Sequence, residues 1–467
     1  MSRTKIVCTI GPSSAKPAIL RSMMKGGMAV ARLNLSHGTH ASHRAYLAMI
    51  REAAREVGLP VAALADLQGP KIRLGVLPEA GVELKAKSRV RFSTAVDAYR
   101  AGGPLPVTYK GLHKDVKAGA RLLIDDGLIE VKVTGVSGRV LTASVVNGGR
   151  VTSHKGMNFP DSTLRVSPIT DKDKEDLAFA VKAGVEFVAL SFVTDPKDVR
   201  TLRSLIAKAL PKGKTPPRIV VKIEKHEAVR RFAEILAETD AVMVARGDLG
   251  VEIPAAEVPV RQKEIIEACR AAGKPVIVAT QMLDSMIRNP RPTRAEASDV
   301  ANAVCDHADA VMLSGESATG KYPREAVAAM QAIATEAEAS RFDDVRHEDQ
   351  PGTDFDPPLT HALADAAVGR RIDAVLSSVE LFRDAERLLG ARAQVPLHLA
   401  VPSDALARQA NLRWGVRPFV LKAGSGKTFA ARALKALKAA KRIRKGDRVA
   451  LVSGGVHGAG YDLVKVT

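Results

Sequence analysis

Eight short apolar runs rich in β-branched residues recur along the first two-thirds of the chain, each bounded by polar residues or glycine. They are Lys5 to Ile10, Val30 to Leu35, Val61 to Leu67, Phe187 to Phe192, Ile219 to Ile223, Ala241 to Ala245, Val276 to Ala279 and Ala310 to Leu313. Between most of them the apolar positions switch to helical spacing. Val260 to Ala272 is one such segment, stopped by Gly273, with Lys274-Pro275 leading into the next run. This alternation of strand and helix predicts a (β/α)8 barrel within an α/β chain, formed by residues 1–69 and 166–340.

The interval from Asp66 to Phe187 is too long for one connection, so something is inserted ahead of a helix at about Thr170 to Lys182. Val82 to Ala95 and Ala120 to Asn147 alternate in the manner of Leu128-Ile129-Glu130-Val131-Lys132-Val133 and predict a small antiparallel β-barrel over residues 70–165. Because it leaves from the C-terminal end of the third strand, it is expected to sit as a lid on the barrel mouth. Beyond Ala339 the acidic, Pro-rich stretch Asp343 to Pro358 reads as a linker. Strands at Asp373 to Ser377, Leu397 to Val401, Arg417 to Leu421 and Arg448 to Ser453 then alternate with helices, predicting a C-terminal α/β domain over residues 341–467.

Composition narrows the class. With 46% hydrophobic residues in 467, the chain has apolar material for several cores, and disorder is not the default. Nothing approaches 18 consecutive apolar residues, and the first apolar run is too short for a secretory leader, which predicts a soluble cytoplasmic protein with no membrane partner. Cys8, Cys269 and Cys305 lie apart without metal-ligand spacing and read as buried thiols. A net charge of +19 points to anionic partners. The densest basic segment, Lys422 to Arg448, has ten cations against Asp447 alone. It lacks interleaved aromatics or a nucleic-acid motif, so it reads as a solvated helix face and nucleic acid is not an expected partner.

The chemistry gathers where a barrel keeps its reacting groups, at the C-terminal strand ends. Asn34 and Ser36, Asp66, Ser191, Lys222 and Glu224, Arg246 and Asp248, Thr280, and Ser314 with Glu316 follow successive runs. Each alone could be a satisfied buried polar group. A purely structural barrel end has no need of lysine, arginine and several carboxylates together. Glu224 and Asp248, after adjacent strands, can meet at one point and leave positions open, as a hard divalent cation requires; an ion pair with Lys222 is the structural alternative. The turn Ala245-Arg246-Gly247-Asp248 offers amides to a substrate carboxylate, and Lys222 and Arg32 would face a transferring phosphoryl group.

The runs Lys5 to Ser13 (KIVCTIGPS), Ala31 to Gly38 (ARLNLSHG), Val221 to Glu224 (VKIE), Ala245 to Pro254 (ARGDLGVEIP), Ala279 to Leu283 (ATQML), Pro290 to Glu296 (PRPTRAE) and Leu313 to Glu316 (LSGE) resemble the signature runs of pyruvate kinases, in the family's order. Lys155 to Pro160 (KGMNFP) and the pair Asp125-Asp126 extend the resemblance to the lid. It implies transfer of the phosphoryl group of phosphoenolpyruvate to ADP, giving pyruvate and ATP in glycolysis. By this resemblance Lys222, Arg32, Thr280 and Ser314 are the catalytic residues, with Thr280 and Ser314 beside a water relay rather than acting as the acid itself. Arg32, Lys222, Ala245, Gly247, Asp248 and Thr280 bind the substrate. Asn34, Ser36, His37, Arg73 and Lys155 contact the nucleotide. Glu224 and Asp248 hold Mg²⁺, which Mn²⁺ can replace. A homotetramer and a phosphorylated effector of the C-terminal domain are also implied. Ser377 to Phe382 carries Glu380 and bulky neighbours where many members bind fructose 1,6-bisphosphate, so activation by that sugar is not expected.

The family's monovalent-cation positions match Asn34, Ser36, Asp66 and the carbonyl of Leu67. Potassium-activated members carry glutamate where this chain has Lys71. A unit charge about 4 Å away is worth roughly 4 kcal/mol at an effective dielectric near 20, so Lys71 is expected to replace K⁺. Three readings compete: another phosphoenolpyruvate-using barrel enzyme, a nucleic-acid-binding protein, and an NTPase suggested by Ala423-Gly-Ser-Gly-Lys-Thr428. The last fails where the P-loop pattern needs glycine and the chain has Leu421.

Overall fold

A computed structural model describes residues 2–343, 366–367, 369, 371–378, 392, 394–421, 426–455 and 458–467. Three strands open the chain: β1 (Lys5–Thr9), β2 (Met28–Asn34) and β3 (Ala62–Asp66). The insertion follows, with β4 (Val82–Leu84), β5 (Arg89–Ser93), β6 (Leu105–Pro106), β7 (Arg121–Ile124), β8 (Ile129–Ser137), β9 (Val140–Asn147), β10 (Gly149–Val151) and β11 (Met157–Asn158). The first sheet resumes with β12 (Phe187–Leu190), β13 (Arg218–Ile223), β14 (Ala241–Ala245), β15 (Val276–Ala279) and β16 (Ala310–Leu313). These eight parallel strands close into a barrel in the order β1-β16-β15-β14-β13-β12-β3-β2.

The eight apolar runs thus become the eight barrel strands. They show no alternation because both faces are buried. In β1, Val7 points into the interior with Val30, Leu64 and Ile277, while Ile6 and Cys8 pack outward against the helix layer. Thr39, Thr170, Asp195 and Thr293 start their helices with reciprocal capping boxes. Thr170 caps Asp171–Ala183, and the buried Asp173 of that helix also accepts the Gly69 N–H (3.1 Å), fixing the chain as it leaves for the lid.

The expected small β-barrel of the insertion takes the form of a six-stranded sheet, β11-β7-β8-β9-β5-β6, with a two-stranded β4–β10 ribbon. Its pairings are antiparallel except β5 with β6. Both sheets contribute to one core, with Leu84 and Val151 from the ribbon and Phe92, Leu122 and Leu141 from the larger sheet.

The C-terminal sheet comprises β17 (Ala374–Ser378), β18 (Leu397–Val401), β19 (Val416–Val420), β20 (Arg448–Gly455) and β21 (Gly458–Lys465), in the order β19-β18-β17-β20-β21. Only β21 is antiparallel to its neighbour, and the sequence pattern did not mark it as a strand. In helix Gly426–Ala439, Ala433 and Leu437 pack inward while Arg432, Lys435 and Lys438 are exposed, the solvated face expected. Asp343, expected to open the linker, is instead buried against Arg3 and His307. The rest of that stretch, the effector-loop residues Val379 to Phe382, and Lys422 to Ser425 of the glycine-rich run lie outside the described residues.

The turn between helix Asp404–Ala410 and β19 reaches under the barrel. Leu412 is fully buried among the barrel's interior residues, beside Val7, Val30 and Leu64. Asn411 donates to the Pro60 carbonyl (2.8 Å), and the Trp414 N–H donates to the Asp309 carboxylate (3.0 Å). The guanidinium groups of Arg3 and Arg392 lie over the Trp414 ring at 5.3 and 4.9 Å.

Candidate active site

At the barrel mouth, Asp66 at the end of β3 is wholly buried between two cations. Arg32 of β2 places Nε (2.7 Å) and Nη2 (2.6 Å) on its Oδ2, and Lys222 of β13 stands 3.5 Å from its Oδ1. Against the cost of burial, Lys222 and Arg32 hold the Asp66 carboxyl below its ordinary range. The Lys222 ammonium also pairs with Glu224 Oε1 at 2.7 Å. Burial disfavours its charge, but Asp66, Glu224 and Asp248 together outweigh that and push the ammonium above its usual pKa.

Glu224 lies just past β13 and is equally buried. Its Oε2 accepts the Phe192 N–H (2.6 Å), while Oε1 faces Lys222 without a well-directed hydrogen bond. Burial pushes this carboxyl up to about 7; Lys222 opposes the shift and Asp248 adds to it. Phe192 is held at φ +55°, with Gly69 (φ +68°) packed so closely that an added Cβ would stand 2.8 Å from the Phe192 ring. A side chain at 69 would therefore displace the residue whose amide holds Glu224.

Asp248, in helix Arg246–Glu252 after β14, has no recorded hydrogen bond or ion pair among the described residues, yet its charge is felt at both Glu224 and Lys222. Two hard carboxylates converging, one of them unpartnered, fit a divalent cation that takes its remaining ligands from water and substrate. Among the described residues no cluster of three or more His, Cys, Asp or Glu side chains is placed to hold a metal, so Glu224 and Asp248 are the candidate pair.

Thr280 is a β-branched residue held at φ +71°, a strained conformation of the kind that accumulates at working sites. Its hydroxyl donates to the Ala279 carbonyl (2.6 Å) and accepts the Gly247 N–H (2.8 Å), so the two expected carboxylate-binding groups are paired with each other. Ser314 follows β16, and its N–H donates to Glu316 (2.7 Å).

Two of the polar strand-end residues turn away from the mouth. Arg246 makes a bidentate pair with Asp299, both contacts at 2.7 Å. The buried Glu316 accepts the N–H groups of Leu283 and Ser314, clamping neighbouring loops. Both are scaffold, the reading that competed with function for each residue singly.

Beside β2, the exposed His37 is driven below its ordinary pKa by desolvation and then by the neighbouring charges of Lys71, Arg73 and Arg32. Asn34 Oδ1 accepts the Ser36 N–H (3.2 Å). Lys155 lies beside Arg73 through the Arg73–Gly156 bridge, but its ammonium pairs with Asp125 of the lid at 2.7 Å. Lys71 is exposed, and its charge is felt at His37, while Lys222 and Arg32 are the counter-charges of Asp66. The position expected to replace K⁺ thus lies within electrostatic reach of His37. A cavity of about 110 Å³ between lid and barrel is lined by Lys71, Asp126, Asn158, Phe192, Lys225 and Asp248. Asn158 of the lid donates to Glu252 (3.1 Å), which also pairs with Lys225 (3.0 Å). Sequence reasoning missed Phe192, Gly69, Lys225 and Glu252, whose parts depend on backbone amides and on contacts across the cleft.

Comparison with known proteins identifies the family. Residues 1–327 match the family profile described as pyruvate kinase, barrel domain, and residues 359–467 match pyruvate kinase, alpha/beta domain. A pyruvate kinase of Agrobacterium vitis is 44% identical over 417 residues, covering 89% of this chain and 86% of the relative. Pyruvate kinase 2 of Synechocystis is 42% identical over 473 residues, covering 99% of this chain and 79% of the relative. The crystal structure of a Cryptosporidium parvum pyruvate kinase superposes with a TM-score of 0.89 at 34% identity, covering 99% of this chain and 96% of that one. With both profiles matched in order and relatives above 40% identity over nearly its full length, the chain belongs to the pyruvate kinase family.

Proposed function

We propose that this phosphotransferase carries the phosphoryl group of phosphoenolpyruvate to ADP at the mouth of its barrel, with Arg32 and Lys222 on the transferring group. The observation that carries this is the convergence of Arg32, Asp66, Lys222, Glu224 and Asp248 from neighbouring strand ends. Phosphoryl transfer needs in-line placement and charge neutralisation more than covalent chemistry, and fixed cations backed by buried carboxylates provide both. Lys222 remains an ammonium throughout the working pH range, so it stabilises the enolate left behind and does not protonate it. Thr280, with the Gly247 and Asp248 amides and the Ala245 turn, receives the substrate carboxylate once their mutual bond opens. Asn34, Ser36, His37, Arg73 and Lys155 line the nucleotide side. Glu224 and Asp248 would hold Mg²⁺ or Mn²⁺, which would supply further positive charge to offset the negative charge of the substrate. A lactate-dehydrogenase-coupled assay with phosphoenolpyruvate, ADP and Mg²⁺ tests the reading; no pyruvate formation would overturn it.

The same reading places the enzyme in cytoplasmic glycolysis as a homotetramer, which size-exclusion chromatography with light scattering checks. Among the described residues no helix is long and apolar enough to cross a membrane. We also propose that K⁺ is not required. Support comes from the Asp66 carboxylate, already faced by two cations, and from Lys71, which adds positive charge beside His37. Near-full activity is expected in tetramethylammonium buffer, with Lys71→Glu weakening activity and conferring K⁺ dependence. Activation of the wild type by more than about fivefold on adding K⁺ at constant ionic strength would show an ordinary K⁺ site.

A further inference from the structure

Two buried hydroxyls stand behind the two cations. Lys222 Nζ donates to Ser191 Oγ (2.9 Å), and Ser191 donates onward to the Leu67 carbonyl (2.7 Å). Arg32 Nη1 donates to Thr9 Oγ1 (2.9 Å), and Thr9 donates onward to the Leu313 carbonyl (3.0 Å). Chemistry fixes the direction of every bond. A carbonyl cannot donate and an ammonium or guanidinium cannot accept, so each hydroxyl spends its one proton on the carbonyl and turns its lone pairs to the cation. Ser191 and Thr9 are 1% and 5% exposed, so water does not compete for these bonds.

The two relays are joined at Asp66. From β16 through Thr9 of β1 to Arg32 of β2, then to Asp66 of β3, and on through Lys222 of β13 to Ser191 after β12, one run of polar contacts crosses six of the eight strand ends. We propose that Thr9 and Ser191 are positioning residues for phosphoryl transfer. Their pre-oriented hydroxyls hold Arg32 and Lys222 at the spacing the transferring group requires. This rests on the reading that those two cations grip the phosphoryl group.

The test uses full-length variants assayed with phosphoenolpyruvate, ADP and Mg²⁺, with kcat expressed per folded chain. Thr9→Val keeps the shape and loses the hydroxyl, whereas Thr9→Ser keeps the hydroxyl and loses the methyl. Thr9→Val and Ser191→Ala are each expected to lower kcat by about 10- to 100-fold with less than about threefold change in the KM for phosphoenolpyruvate, because displacement of a charge is felt chiefly in the transition state. Thr9→Ser is expected to stay within about threefold of the wild type. In a Lys222→Met background, adding Ser191→Ala is expected to cost less than about twofold more, since its partner is already gone. A Thr9→Ser loss as large as that of Thr9→Val, or a full additional loss in the Lys222→Met background, would mean simple packing and overturn the proposal. If Lys222→Met is crippled while Thr9→Val and Ser191→Ala match the wild type, only the relay fails. If Lys222→Met itself is active, the reading of the site fails with it.

Discussion

Replacing Lys222 with methionine is expected to lower kcat by about a thousandfold or more while the chain stays folded. Methionine keeps most of the stem volume, and the apolar part of the side chain sits in the barrel's packed end. What disappears is a permanent charge with Glu224 at 2.7 Å, Asp66 at 3.5 Å and the Ser191 hydroxyl at 2.9 Å around it. Three carboxylates then lose a counter-charge. Glu224, already pushed up to about 7, can relieve the repulsion by taking a proton, so misfolding is not the expected outcome. On the proposed reading Lys222 neutralises charge that develops along the reaction coordinate, so the loss should fall on kcat more than on the KM for phosphoenolpyruvate. Steady-state kinetics beside a far-ultraviolet dichroism melt separate the two effects. A loss below tenfold would remove Lys222 from the central role.

The second large effect concerns the carboxylates. Glu224→Ala and Asp248→Ala are expected to raise the Mg²⁺ concentration for half-maximal activity at least tenfold, besides slowing turnover, because on the proposed reading each removes a carboxylate ligand of the ion. The raised carboxyl of Glu224 adds a pH signature with a definite sign. The ion binds the carboxylate, so below about 7 a proton must leave before the metal can enter. Mg²⁺ affinity should therefore fall by up to about tenfold for each pH unit below 7 and flatten above it. Calorimetric titration of the resting protein with Mg²⁺ at several pH values reads this without turnover. Glu224→Gln should bind weakly at every pH and lose the slope; an unchanged slope would place the titrating group elsewhere.

Much of this was legible because burial on both faces leaves a plain mark in the sequence. The eight barrel strands are mostly apolar runs, and the candidate site residues sit in or just past their C-terminal ends. Orientation was less legible. Arg246 and Glu316 stand near C-terminal strand ends just as Lys222 and Glu224 do, and only the structure shows the first pair bonded to Asp299 and to the loop amides. Nor could composition tell that Lys71 would act at His37, since reach depends on the path of the turn after Gly69. The hydroxyl relays were out of sight because their acceptors lie 124 and 304 residues away in the chain. A serine at a strand end looks the same whether it meets solvent or an ammonium.

Leu412 carries a different kind of consequence. It is encoded in the C-terminal third, yet it packs with the residues that fill the interior of the barrel. A cut anywhere between Asp343 and Asp373 would look like a clean division on a topology diagram, but it would yield one piece with an open floor and another with a stranded leucine. The visible seam in the backbone and the seam in the packing are different places. Anyone grafting this barrel onto another scaffold, or shuffling its C-terminal third among relatives, has to treat residues 411–415 as part of the barrel.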